Sequence, residues 1–177
     1  MKRLPLLLVI LLCLARSTSA QTQASSSSQA IAFVQSFYDW YLPIVSGSNL
    51  HEAKCNFAIK CRPELFDRPL LRALQIDAAA QAKSPEAIDG LDGDPFVDTN
   101  GDPAKHFKAT SASGALVMVV GFDQQITKPL TSLTVEVRCK PDRCVIVNIH
   151  YPARNGLKKS DLLSILHLLH PHAKFTP

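Results

Sequence analysis

Beyond its N-terminal segment the sequence lacks any apolar run long enough to cross a bilayer. Even the strongly apolar Ala115 to Val120 stops at Gly121 and Asp123, far short of the roughly 18 residues a membrane helix needs. It also lacks a charge excess: with Lys2, Arg3 and Arg16 set aside as part of that segment, 16 basic residues face 15 acidic ones. The remaining Lys and Arg are dispersed and carry no aromatic-basic repeat, so nucleic acid is not expected as a partner. There is no Gly-rich phosphate loop, no Gly-x-Ser-x-Gly nucleophile elbow and no His-Glu-x-x-His pair. Those absences weaken the enzyme case without excluding it, because a pocket enzyme needs only one His or carboxylate beside a hydrogen-bond donor.

What is present begins with an export signal. Met1-Lys2-Arg3 supplies a positive start, Leu4 to Leu14 an apolar stretch too short to span, and Thr18-Ser19-Ala20 small residues suited to cleavage. Cys13 is expected to leave with the signal, since Leu12 stands where a lipid-attachment motif wants a small residue. Residues 1–20 are thus read as a signal peptide, 21–29 as a flexible polar leader, and 30–177 as one domain that is periplasmic or secreted. About 150 residues suffice for a single hydrophobic core.

Four cysteines remain, Cys55, Cys61, Cys139 and Cys144. In an exported chain an even number favours disulfides over zinc, and the two local pairings are preferred among the three possible. Cys139-Lys-Pro-Asp-Arg-Cys144 has the stronger case, because Pro141-Asp142 is a turn signal between two alternating β-type runs.

Residues Ile31, Val34, Phe37, Tyr38 and Tyr41 recur at helical spacing and predict a buried aromatic helix from Ala30 to Leu42, ended by Pro43. Val45 to Cys61 reads as an irregular connection. A second helix starts near Pro63 or with Asp67 as its cap and runs to about Lys83. After a long Asp-, Gly- and Pro-rich loop from Ile88 to Pro103 come strands over Ala115 to Phe122, Leu133 to Arg138 and Val145 to Tyr151, preceded by a weaker one around Lys105 to Ser111. Ser160 is expected to cap a last helix bearing Leu162, Ile165, Leu166 and Leu169, which stops before Pro171. The order predicts an α+β fold with helices on one face of a curved antiparallel sheet.

Three short motifs, Phe37-Tyr38-Asp39-Trp40-Tyr41-Leu42, Asp94-Pro95-Phe96 and Val147-Asn148-Ile149-His150-Tyr151, resemble those of a bacterial family of exported domains. That family is similar to the nuclear-transport-factor-2-like superfamily, whose helices close a bent, cystatin-like sheet into a conical pocket. The resemblance covers roughly Ala30 to Leu169. It implies a fold and a pocket, but no catalytic residue, because the superfamily spans isomerases, dehydratases, carriers and interaction modules.

Two registers of the C-terminal hairpin are open. If pairing runs without interruption from Cys139 opposite Cys144, then Val135 faces Asn148, Leu133 faces His150, and both polar side chains enter the cavity. There His150 near Asp39, Tyr38 or Asp94 would serve proton transfer. If the register slips by one, Val145, Val147, Ile149 and Tyr151 face the core and His150 faces solvent. The candidate ligand-binding residues are accordingly Tyr38, Trp40, Asp94, Asn148 and His150, the two aromatics because each carries a polar tip.

Asp98, Asn100 and Asp102 place oxygens at alternate positions, as a calcium loop does, although turn formation explains the same composition. His167, His170 and His172 are spaced for a shared metal, but Pro171 interrupts the helix and favours a structural role. Taken together, the sequence favours a non-catalytic exported binding module for a small ligand or an envelope protein. An immunity- or inhibitor-type protein and a small isomerase-, dehydratase- or hydrolase-like enzyme using His150 with an Asp are the alternatives. The run Leu116 to Val120, expected to bury both faces of its strand, points to a homodimer.

Overall fold

The computed structural model describes residues 27–46, 54–83, 90–97, 104–122, 129–153 and 158–175. Helix α1 occupies residues 27–46, followed by α2 (Lys54–Cys61), a 3-10 turn (Pro63–Leu65) and α3 (Arg68–Lys83). The chain then lays down β1 (His106–Ser113), β2 (Leu116–Phe122), β3 (Pro129–Lys140), β4 (Arg143–Tyr151) and the two-residue β5 (Ser160–Asp161), and closes with α4 (Leu162–Leu169). The five strands form an open antiparallel meander in the order β1-β2-β3-β4-β5. The architecture is α+β.

One sheet face is mostly apolar, by alternation along the strands that is interrupted once in β4. Phe107, Val117, Val119, Leu133, Val135, Val137, Ile146 and Ile149 point inward and join the helix residues Val34, Phe37, Tyr41, Ala58, Leu70, Leu74, Leu162 and Leu166 in one core. On α3 the inward residues Leu70, Ala73, Leu74 and Asp77 follow the i, i+3, i+4, i+7 stripe of an amphipathic helix. Gly121 is forced by this packing: a Cβ there would stand 2.9 Å from both Ala104 Cβ and Thr131 Cγ2.

The free edge of β1 is not left open. The Gln35 carboxamide on α1 donates to Phe107 O (3.0 Å) and accepts from Ala109 N (2.9 Å), so a side chain occupies hydrogen-bonding groups that would otherwise template another strand.

Several local expectations change. Helix α1 begins upstream of Ala30 and continues past Pro43. A proline forfeits one intrahelical bond, and here the turn beyond it is held by Val45, which is buried. Part of the connection expected to be irregular is α2, whose Cys55, Ala58 and Ile59 turn inward together. Asp161, not Ser160, caps α4: its carboxylate accepts from Ser164 N (3.0 Å), while Ser160 pairs with Tyr151 in β5.

Strand β2 does not bury both faces. Val117 and Val119 are inside, whereas Leu116 and Met118 are 41% and 44% exposed. The signal segment and most of the leader, and also Asp98, Asn100 and Asp102, lie outside the described residues.

The expected Cys139–Cys144 disulfide staples the β3–β4 hairpin. Cys55 and Cys61 are free thiols, one buried and one exposed, which corrects the pairing expected from their spacing. Both sit on α2, and six residues along a helix amount to a rise of about 9 Å, beyond the reach of a disulfide.

Candidate functional site

The hairpin register decides where the candidate residues go. Cys139 lies opposite Cys144 and Val137 opposite Ile146, but the next pair is Glu136 with Asn148, so Val147 is an extra residue in β4. This β-bulge shifts everything beyond it by one. Neither expected register holds along the whole strand: Ile146 and Ile149 both face the core, while His150 falls on the outer face beside Thr134.

Asn148, at the bulge, is a structural bracket. Its Oδ1 accepts from Ile149 N (2.9 Å) and Leu163 N (3.1 Å), and its Nδ2 donates to Asp161 Oδ1 (2.8 Å). It thereby ties β4 to β5 and to the first turn of α4. Burial pushes the Asp161 carboxyl up, but hydrogen bonds from Asn148 and from the Ser164 amide and hydroxyl, with His150 nearby, outweigh it and hold Asp161 below the ordinary aspartate range.

Three more of the candidates belong to the helix side of the sheet. Tyr38 is fully buried, stacks on Phe107 at 4.8 Å between ring centroids, and donates its hydroxyl to Phe96 O (2.9 Å). Asp94 accepts from the Tyr41 hydroxyl (2.8 Å) and from Phe96 N (3.0 Å). Burial first, and then the Asp94 carboxylate, push the Tyr41 hydroxyl far above its usual range. Tyr151 donates to Pro95 O (2.9 Å). Every tyrosine of the chain therefore donates to the short segment Asp94-Pro95-Phe96. Trp40 is half-buried against Phe37 and Tyr41, with the Arg62 guanidinium 5.4 Å from its ring centroid. These side chains hold the fold together rather than line a cavity with His150, which lies across the sheet from them.

The outer face carries the concavity. A groove of about 690 Å³ is floored by the exposed Leu116 and Met118 of β2 and bounded by Ser132, Thr134, Glu136, His150 and Lys159. Alternation puts these residues there: in β2 and β3 the positions that are not in the core must face outward. His150 Nε2 stands 3.1 Å from Glu136 Oε2, and each side chain is about one-third exposed, at 38% and 34%. The expected partners of His150 are elsewhere; Asp39 accepts from Gln35, one turn away on α1. A carboxylate beside an imidazole in the lining of a groove with an apolar floor can fix a polar group of a ligand or orient the ring as a base.

Sequence reasoning missed Glu136, because a one-residue bulge separates it from the pairing that the disulfide implies. It also missed Asp77, which is 1% exposed on α3 and accepts from His170 Nε2 (2.8 Å), Gln81 Nε2 (2.8 Å) and Leu91 N (3.2 Å). The signal was an Asp on the apolar stripe of α3. Of the other two C-terminal histidines, His167 packs on Phe175, with centroids 4.2 Å apart, and His172 is exposed. Among the described residues no group of three His, Cys, Asp or Glu is arranged to hold a metal.

No family model, curated protein or solved structure matches the chain.

Proposed function

We propose that this protein is an exported, non-catalytic binding module that takes a small ligand with an apolar body and a polar end on the outer face of its sheet. The fold is then read as a variant of the nuclear-transport-factor-2-like architecture in which the binding surface lies on the side away from the helices. The observation that carries the proposal is the coexistence, in one groove, of exposed Leu116 and Met118 with the Glu136–His150 pair. Its volume falls within the range of small-molecule sites, about 300 to 1,000 Å³, and such sites combine an apolar floor with a few polar groups. Export is supported by the N-terminal signal pattern and by the Cys139–Cys144 bond, which persists in oxidising compartments. No described helix is long and apolar enough to cross a membrane.

The test is native mass spectrometry of protein purified gently from the cell envelope, alongside Met118→Glu. A small organic mass that the substitution removes is the expected result. A bare protein contradicts the proposal, as does a dimer that Met118→Glu dissociates, which would give the face to a second copy.

The His150–Glu136 distance of 3.1 Å favours one second reading, an enzyme in which the carboxylate orients the imidazole as general base. That reading requires turnover lost in both His150→Gln and Glu136→Gln, with folding intact.

A further inference from the structure

A second concavity, of about 560 Å³, lies where the start of α3 meets the stapled β3–β4 hairpin, on different residues from the outer-face groove. Its charged lining is Arg68, Arg138, Lys140 and Arg143 against Glu64 and Asp67. Both acids are already engaged. Glu64 takes the Arg62 guanidinium at 2.6 Å, and the two oxygens of Asp67 accept from the two terminal nitrogens of Arg138 at 3.1 and 3.0 Å. Arg68, Lys140 and Arg143 are exposed and have no carboxylate within ion-pair distance among the described residues. In a mature chain with almost no net charge, three uncompensated cations share one groove. They repel each other when it is empty, and an anion seated among them converts that repulsion into attraction.

The backbones that carry these cations are held in place. Arg143 and Lys140 flank the Pro141-Asp142 turn, inside the Cys139–Cys144 bond. The α3 start is pinned to β4 by Asp67 N donating to Ile146 O at 2.8 Å, and the fork-to-fork pair between Arg138 and Asp67 ties the hairpin to the same point. Phe66, Leu71 and Val145 form an apolar wall behind the charged rim. Guanidinium groups match the oxygens of a phosphoryl group bidentately, and a lysine adds a point charge.

We propose that this groove binds a phosphoryl group, carried either by a soluble compound or by an anionic lipid headgroup. The test titrates the mature protein with pyrophosphate by calorimetry at low salt, and in parallel sediments it with phosphatidylglycerol or phosphatidylcholine vesicles. Arg143→Glu and Arg68→Glu, on separate elements, are compared with Lys108→Glu, which makes the same charge change on the exposed side of β1. The expected result is saturable binding weakened about tenfold or more by each groove substitution and left nearly unchanged by Lys108→Glu, with all melting temperatures alike. Saturation by pyrophosphate assigns a soluble source. Arg143-dependent binding confined to phosphatidylglycerol vesicles assigns a lipid headgroup. Binding in neither arm overturns the proposal, and so does equal weakening by Lys108→Glu, which would show nonspecific charge attraction.

Discussion

Replacing Asn148 by alanine removes three hydrogen bonds in one step and discriminates between a structural and a ligand-binding role. The amides of Ile149 and Leu163 lose their acceptor, and Asp161 loses the donor at 2.8 Å. A neutral hydrogen bond contributes about 1 kcal/mol net, and one to a charged group about 1.5 to 3 kcal/mol. Asp161 keeps its bonds from the Ser164 amide and hydroxyl and is largely solvated, so its share sits at the low end and the total is about 3 kcal/mol. For a domain of this size that lowers the melting temperature by roughly 6 to 12 °C. Asn148→Asp tests the same geometry differently: it keeps an acceptor for the two amides but sets a second carboxylate against Asp161. It is expected to be worse than alanine at neutral pH and to recover as acid neutralises the pair. Thermal melts followed by circular dichroism give both values. An Asn148→Ala melt within about 1 °C of wild type would refute the bracket, because a side chain kept only for a ligand costs under about 0.5 kcal/mol to remove.

Tyr41→Phe removes a bond to a charged acceptor and should cost about 2 kcal/mol, whereas Tyr38→Phe removes a bond to a neutral carbonyl and should cost about 1 kcal/mol; urea melts in the reverse order would be inconsistent with the Asp94 anchor. Burial, then the carboxylates of Asp94 and Asp77, push the Cys55 thiol up to about 12, so the native protein should take up iodoacetamide at Cys61 and at Cys55 only after denaturation. Labelling of both thiols in the native state would contradict the placement of α2. The lowered Asp161 pKa contributes stability that is present above the ordinary aspartate range and lost as pH falls through the folded value. Wild type should therefore lose more stability than Asp161→Asn between about pH 5 and pH 3, and parallel acid melts would argue against the cap.

Most of the element order was readable, α2 and β5 excepted, because those segments agree with their own periodicity: the aromatic spacing of Ile31 to Tyr41, the leucines of the last helix and the alternation across Cys139–Cys144 all survive in the structure. What could not be read depends on partners distant in sequence. Pro43 stays helical because Val45 is packed into the core, and no local pattern announces that. The bulge at Val147 is bracketed by Asn148 reaching residues 13 and 15 positions ahead. One extra residue puts His150 on the outer face, where the slipped register has it, and gives it Glu136 as a partner instead of an Asp. Tyr38 drew notice for its polar tip, Asp94 as a partner for His150 and Asn148 for its register, and their polar groups are spent on the backbone and on Tyr41 and Asp161.

Met118 lies on the floor of the outer groove, and the chain's other methionine, Met1, falls in the proposed signal segment. Carbon-13 labelling of the methionine methyl should therefore give the mature protein a single resonance that reports directly on the proposed surface. On titration with a small-molecule extract of the cell envelope, the account predicts a saturable shift of that resonance, abolished by His150→Gln with Glu136→Gln. A ligand retained by mass that leaves the Met118 methyl unmoved would contradict it.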